Sequence, residues 1–343
     1  MDQWEGLHLE CLAVLKRAVD LTYDHRGDDL FHDRLFSYLQ KQLPFSIDKI
    51  KPIKNKVYLV ESDHLNFILK GFSSYDRLRL QENFTTALSQ SGFENTYSFY
   101  PLTKFPLFFE HTYYGCLQYI EPSEKEFSYK LNKDRLDGTH LLNQFHLSTK
   151  WLTNIFQMLI PTFWQIEKWQ ERFAIFFNNL PIVKYFIQEK MLAEIIVWAD
   201  WSLKGMISES HLFMNDEKVI LHGDVAHHNF LRAKNNKLFL IDFDLISIGI
   251  PHIDYLQYAN RILPHLNWSF EKLFHYEKLK PFLNEKGFIY ALAFPTDIFR
   301  EWNRAIKEGT YLQHEKLEQL LEMTEGQFAE RQEFFKQLVY ANE

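Results

Sequence analysis

Cysteine is nearly missing from this 343-residue chain, which contains only Cys11 and Cys116. Two thiols cannot build a disulfide framework or a cysteine-based metal site, and such sparing use fits a reducing compartment. A long apolar run is missing too. The region Phe173–Trp201 is interrupted by Asn178, Lys184, Glu189 and Lys190, so no segment is expected to span a bilayer and no membrane partner is expected. Met1-Asp2-Gln3-Trp4-Glu5 puts acids where a secretory leader needs basic and then apolar residues. The expectation is therefore a cytoplasmic chain, in which the triplets Asn83-Phe84-Thr85 and Asn267-Trp268-Ser269 are chance glycosylation matches. Excess positive charge is lacking as well: the net charge of −7 argues against nucleic acid as a partner, because phosphate backbones reward a basic face. There is no internal repeat, low-complexity segment or Gly/Ser linker.

What is present is enough length for two lobes and, at 46% hydrophobic and 24% charged residues, a sizeable core. Aromatic residues reach 17%, with 32 Phe, which implies an aromatic-rich core; an adhesive surface for assembly could take part of that excess. Leu9, Leu12, Leu15 and Val19 have helical spacing, as do Leu35, Leu39 and Leu43. The period then changes. Val57–Val60, the polar turn Glu61–His64 and Leu65–Lys70 read as a β-hairpin, followed by a helix over Asp76–Ser91 that ends at Gly92. Tyr97–Leu102, Leu107–His111 and Tyr114–Ile120 are strand-like. After Glu121-Pro122 the pattern is helical. Leu136–Phe145, Leu152–Leu159 and Ile166–Phe176 mark three helices, the last with Glu167, Lys168, Glu171 and Arg172 on its wet side. Trp151, Trp164, Trp169, Trp198 and Trp201 sit at helical spacing, which favours core packing over a cation–π cage. The expected fold is α+β and bilobal. Residues 1–121 form a small antiparallel-sheet lobe with helices, and 122–343 a larger, mainly helical lobe containing one β-hairpin.

That hairpin carries the chemistry. Val219-Ile220-Leu221 runs into His222-Gly223-Asp224; Phe230-Leu231-Arg232 leads to Lys234–Lys237; Leu238–Ile241 runs into Asp242-Phe243-Asp244. A turn centred on Asn235-Asn236 would pair residues whose numbers total 471, setting Asn229 opposite Asp242. An amide oxygen and a carboxylate so placed can share one hard cation, for which Mg²⁺ is the expected metal. Asp224 and Asn229 have the Asp-x-x-x-x-Asn spacing of a kinase catalytic loop, in which the Asp accepts the substrate hydroxyl proton and the Asn binds metal. A zinc reading of His222, Asp224, His227 and His228 lacks a second His/Asp set.

His222-Gly223-Asp224-x-x-x-x-Asn229, then Ile241-Asp242-Phe243-Asp244, then Gly249-x-Pro251-x-x-Asp254, resembles the aminoglycoside phosphotransferase and choline-kinase superfamily of protein-kinase-like folds. Its tone is similar to spore coat kinase-like proteins of the CotS and YutH type. The resemblance implies that Asp224 is the catalytic base, that Asn229 and Asp242 hold Mg²⁺, and that Asp254 steadies the loop. It implies ATP as cofactor, with Lys70 on the α/β-phosphates, Glu82 orienting that lysine, and Gln118, Tyr119 and Ile120 meeting the adenine. His222 would make structural hydrogen bonds in the loop. Asp244 has two readings, a second metal-side carboxylate or a structural acid replacing glycine. The partner implied is a small-molecule hydroxyl substrate.

One departure matters. Lys51-Pro52-Ile53-Lys54-Asn55-Lys56, read as the turn before Val57, has no glycine, although a phosphate-covering loop normally uses glycine for close approach. The alternative is thus a pseudokinase that scaffolds an assembly such as the spore coat, with spore coat proteins as partners.

Overall fold

A computed structural model describes residues 25–214 and 217–343. The helix expected at Leu9–Val19 lies outside them. The chain divides into two compact units, one ending at Arg79 and resuming over Phe99–Tyr119, the other comprising Leu80–Ser98 and Ile120–Glu343.

In the first unit, helix α1 (His25–Gln42) lies on an antiparallel sheet. Its strands are β1 (Ile47–Lys54), β2 (Val57–Ser62), β3 (Phe67–Phe72), β4 (Leu107–Phe109) and β5 (Thr112–Gln118), in the order β1-β2-β3-β5-β4. Leu35, Leu39 and Leu43 repeat every four residues, so they share one face, and they pack with Val60, Phe67 and Leu69. Each such buried side chain is worth about 1.5–3 kcal/mol.

Three segments of this unit depart from the sequence pattern. Most of Lys51–Lys56 is strand β1, not turn. Pro52 is accommodated because β1 is an edge strand, whose outer side needs no N–H donor, and the register shifts between Pro52 and Lys54. The turn is only Asn55-Lys56, and Lys56 takes φ 57°, a region that favours glycine. Tyr97–Leu102 is not a strand either; Phe99 makes one bridge to Leu117, and Pro101 cannot donate to extend it. The expected strand Leu107–His111 stops at Phe109, where Glu110 and His111 (φ 41° and 59°) make a two-residue turn into β5.

Helix α2 (Tyr75–Gln90) begins in the first unit and ends in the second, closed by Gly92 at φ 91°. The second unit continues with α3 (Asn132–Thr149), α4 (Gln165–Val183) and α5 (Glu189–Ser208). Strands β6 (Val219–Leu221), β7 (Phe230–Arg232), β8 (Leu238–Leu240) and β9 (Ser247–Gly249) follow. The longer helices after them are α6 (His252–Ile262), α7 (Lys286–Leu292), α8 (Thr296–Glu308), α9 (His314–Leu321) and α10 (Phe328–Asn342). Strands β7 and β8 form the hairpin, whereas β6 pairs with β9, a pairing that no local pattern marks.

The core of this unit is aromatic: Phe84, Phe145, Phe230, Phe243, Phe288 and Phe299 are fully buried. Helices α5 and α7 touch closely at Gly205, where a Cβ would come within 2.0 Å of the Tyr290 ring. The helix expected over Leu152–Leu159 is reduced to a short turn and Thr153–Phe156. Only Leu152, Phe156 and Ile160 point inward there; Ile155, Leu159, Trp151 and Trp164 are exposed, so the last two are not core tryptophans. The chain leaves the helical path to bridge Thr162 to Ile248 of β9. Among the described residues no helix is long and apolar enough to cross a membrane.

Candidate active site

Asp224 sits in a loop that other groups hold in place. Strand β6 ends at Leu221, and Gly223 then takes φ 80°, with the Leu245 carbonyl oxygen 2.3 Å from where a Cβ would stand. Only glycine fits that turn. Asp254, fully buried near the start of α6, accepts hydrogen bonds from the His222 amide (2.7 Å) and the Gly223 amide (3.0 Å), and its Oδ2 lies 2.9 Å from His146 Nε2. Burial alone would raise this carboxyl, but His146, His222 and the His222 amide hold it below the usual carboxylate range.

His222 is equally buried. Its Nε2 lies 3.0 Å from the Ile241 carbonyl oxygen and its Nδ1 accepts from the Asp224 amide at 3.3 Å. One nitrogen must therefore carry the proton while the other accepts, which is the neutral ring. Burial pushes its pKa down, against the opposing pull of Asp254, Asp224 and Asp242. His227 and His228 follow on a single exposed turn.

Asn229 closes the loop. It is buried, its Nδ2 donates to the Asp224 carbonyl oxygen (2.8 Å), and its own carbonyl accepts from the Ile241 amide (3.0 Å). The hairpin register differs from expectation by one. Partners total 470, as in Phe230↔Leu240 and Arg232↔Leu238, so Asn229 faces Ile241 and Asp242 is the next residue. The cause is the tip: Ala233 N donates to the Lys237 carbonyl (2.9 Å), leaving the three-residue loop Lys234-Asn235-Asn236 with Asn236 at φ 66°. Asp242 itself has φ 69°, turning the chain sharply after β8.

The next residue, Phe243, is fully buried, stacked on Phe145 at 5.8 Å and edge-on to Phe84 at 5.2 Å. Its carbonyl accepts from Gln81 Nε2 at 2.5 Å. A helix glutamine such as Gln81 carries no motif that marks it in the sequence. The buried Tyr97 phenol is raised well above its ordinary range by burial and by the charges of Asp242 and Asp244, so both carboxylates lie near it. Asp244 is exposed. Arg232 anchors the hairpin to α3 through Asp134 (2.7 Å) and Asp137 (2.8 Å).

Of the residues expected to bind nucleotide, Lys70 lies near the end of β3 between Val57 and Gly115, 7% exposed, with Nζ 5.5 Å from the Phe72 ring centre. Glu82 is half-buried on α2. Gln118 ends β5, and Tyr119 and Ile120 follow it. Among the described residues, no three His, Cys, Asp or Glu side chains cluster to hold a metal by themselves. A cation near Asp242 would therefore draw on the Asn229 amide oxygen, and an amide and carboxylate pair fits a hard ion such as Mg²⁺.

Asp224 also borders a cavity of about 540 Å³ within the second unit. Arg261 of α6 reaches Asp224 Oδ1 at 3.4 Å, and Arg172, Arg300 and Arg304 share the wall. The helical pattern places Arg172 on the wet side of α4. It is instead half-buried, with its guanidinium on the Thr296 hydroxyl, because α8 packs over that face.

Residues 152–271 match the profile of the phosphotransferase enzyme family. The aminoglycoside phosphotransferase of Alicyclobacillus acidocaldarius superposes with a TM-score of 0.68, at 14% identity over 88% of this chain and 94% of that one. The chain has the fold of an aminoglycoside phosphotransferase. Two further phosphotransferases of this fold are similar. An AMP-bound spectinomycin phosphotransferase has a TM-score of 0.59 (15% identity, 91% of this chain and 98% of that one). A GDP-bound aminoglycoside 2'-phosphotransferase-IIIa has 0.60 (12% identity, 87% and 98%). No curated protein sequence matches the chain. The phosphotransferase profile spans α4 to α6 and so contains the loop and hairpin described above.

Proposed function

We propose that the protein is a phosphotransferase that moves the γ-phosphoryl group of Mg²⁺·ATP to a hydroxyl of a small molecule. The observation that carries this reading is the gathering of Asp224, Asn229 and Asp242 at one end of the β7–β8 hairpin. The AMP and GDP bound to two proteins of the same fold support a nucleotide donor. In the reaction, the acceptor oxygen bonds to the γ-phosphorus, its proton passes to the Asp224 carboxylate, and the nucleoside diphosphate leaves. Arg261 holds the Asp224 carboxylate in position. Asn229 Oδ1 and Asp242 would hold Mg²⁺, which when bound neutralises charge on the phosphates. Lys70 would steady the α/β-phosphates with Glu82 orienting it, and the backbone of Gln118, Tyr119 and Ile120 would meet the base. His222 and Asp254 act by positioning the loop.

Asp224→Ala is expected to lower turnover about 10²–10⁴-fold. Its melting temperature should stay near that of the wild type, because Asp224 is partly exposed. Turnover that survives the substitution would remove Asp224 as the base.

A second reading, a catalytically silent scaffold such as a spore coat component, is favoured by the exposed apolar side chains Trp151, Ile155, Met158, Leu159 and Trp164. Mg²⁺·ATP and Mg²⁺·GTP separate the two readings. A nucleotide that binds the folded chain raises its melting temperature, whereas a scaffold with no nucleotide site shows no shift with either.

A further inference from the structure

The wall of the Asp224 cavity is basic. Lys168, Arg172, Arg261, Arg300 and Arg304 line it against three carboxylates, Asp224, Asp297 and Glu301. Those carboxylates are already engaged. Arg331, from outside the wall, grips Asp297 with both guanidinium nitrogens (2.5 and 3.1 Å). Glu301 takes Arg300 (3.1 Å), Arg304 (3.0 Å) and Lys316 (3.3 Å), and Asp224 takes Arg261. Arg172 donates to the Thr296 hydroxyl, an uncharged acceptor. Like charge is crowded as a result: burial and the Arg300 guanidinium push Arg172 down to about 10, and the same two causes lower Arg261. A guanidinium in that position is stabilised by an anion and destabilised by a further cation, and its fork fits a carboxylate or phosphate.

We propose that the acceptor is an anionic alcohol, a hydroxyl compound bearing a phosphate or carboxylate that Arg172, Arg300 and Arg304 seat with its hydroxyl toward Asp224. This rests on the phosphotransferase reading above and adds the substrate class. The same surplus of positive charge disfavours a polycationic aminoglycoside.

Calorimetric titration of the full chain without nucleotide tests it, using glucose 6-phosphate, glycerate, neutral glucose and kanamycin. The expected result is that at least one of the two anions binds, and which one tells phosphate from carboxylate. Glucose and kanamycin should be silent. Arg172→Gln and Arg300→Gln should each weaken the anion about tenfold or more. Arg304→Gln, at an exposed position, gives a weakened-binding readout even if the half-buried variants fold poorly. Binding of kanamycin, silence of both anions, or anion affinity indifferent to all three substitutions would overturn the proposal. A parallel melting experiment with Mg²⁺·ATP keeps the two ideas apart. Anion binding without a nucleotide shift sinks the phosphotransferase and keeps the anion site; a nucleotide shift without anion binding does the reverse.

Discussion

Around Asp224 the backbone is tied down by compensated contacts, whereas the arginines that share its cavity are crowded by their own kind. The loop His222–Asn229 has one buried carboxylate on two amides, one neutral imidazole bridging Asp224 to Ile241, and one amide side chain back-bonded to Asp224. These contacts fix the loop from within the protein. The arginine wall has its acids spoken for and positive charge left over. The difference teaches a division of labour. Groups that must hold one geometry through a reaction are fixed before substrate arrives, which is how preorganised charge contributes to catalysis. Groups that select the substrate are left electrostatically incomplete.

The largest test of that contrast is Asp254→Asn. It keeps the shape but turns one acceptor oxygen into a donor facing buried amides, and it removes the charge opposite His146. A loss of about 1–3 kcal/mol is expected in urea unfolding, the cost of leaving buried amide donors unsatisfied. A loss near zero would mean that the loop stands without its carboxylate, and the contrast would fail.

Acid comes next. Because burial lowers the pKa of His222, the unfolded chain binds a proton near pH 6.5 that the folded loop refuses. Stability should therefore be full above about pH 6.5 and decline as the pH falls toward the depressed folded value. The lowered Asp254 carboxyl acts in the same direction only at more acidic pH. Melting curves between neutral and mildly acidic pH should show the decline, and His222→Asn should flatten part of it. An unchanged slope in that variant would assign the acid sensitivity elsewhere, for instance to His252, which burial also lowers.

The smallest effect belongs to the first unit. Lys56 occupies a left-handed position where Gly223 does the equivalent work in the loop. Lys56→Gly should be neutral to stabilising by up to about 1 kcal/mol, since relief of the left-handed strain is partly offset by glycine's extra freedom when unfolded. A large destabilisation would show that the lysine side chain, not its backbone, is what the turn needs.

Much of this was legible in the sequence because the information is local. Asp224, Asn229 and Asp242 lie within nineteen residues of chain, and two short strands with a turn between them bring such residues together without help from elsewhere. The four-residue spacing of Leu35, Leu39 and Leu43 made α1 equally plain. What was missed depends on distant partners or on single dihedral angles. The hairpin register hung on the left-handed φ of Asn236. The pairing of β6 with β9 joins segments separated by the whole hairpin. Arg172 read as a surface residue because a helical wheel identifies a polar face but not that α8, far along the chain, will cover it. Ile155 and Leu159 read as core because the pattern does not reveal where the chain turns away toward Thr162.

The odd-numbered tip of the β7–β8 hairpin makes loop length a setting of the chemistry. Insertions at exposed tips are ordinarily tolerated. Here one added residue, far from any reacting atom, would slide β8 along β7 and turn its side chains to the opposite face. The buried Leu240 and its half-buried neighbour Phe239 would exchange faces, and the stagger between Asn229 and Asp242 would change with them. Length variation should accordingly be suppressed at Lys234–Asn236 even though those side chains face water.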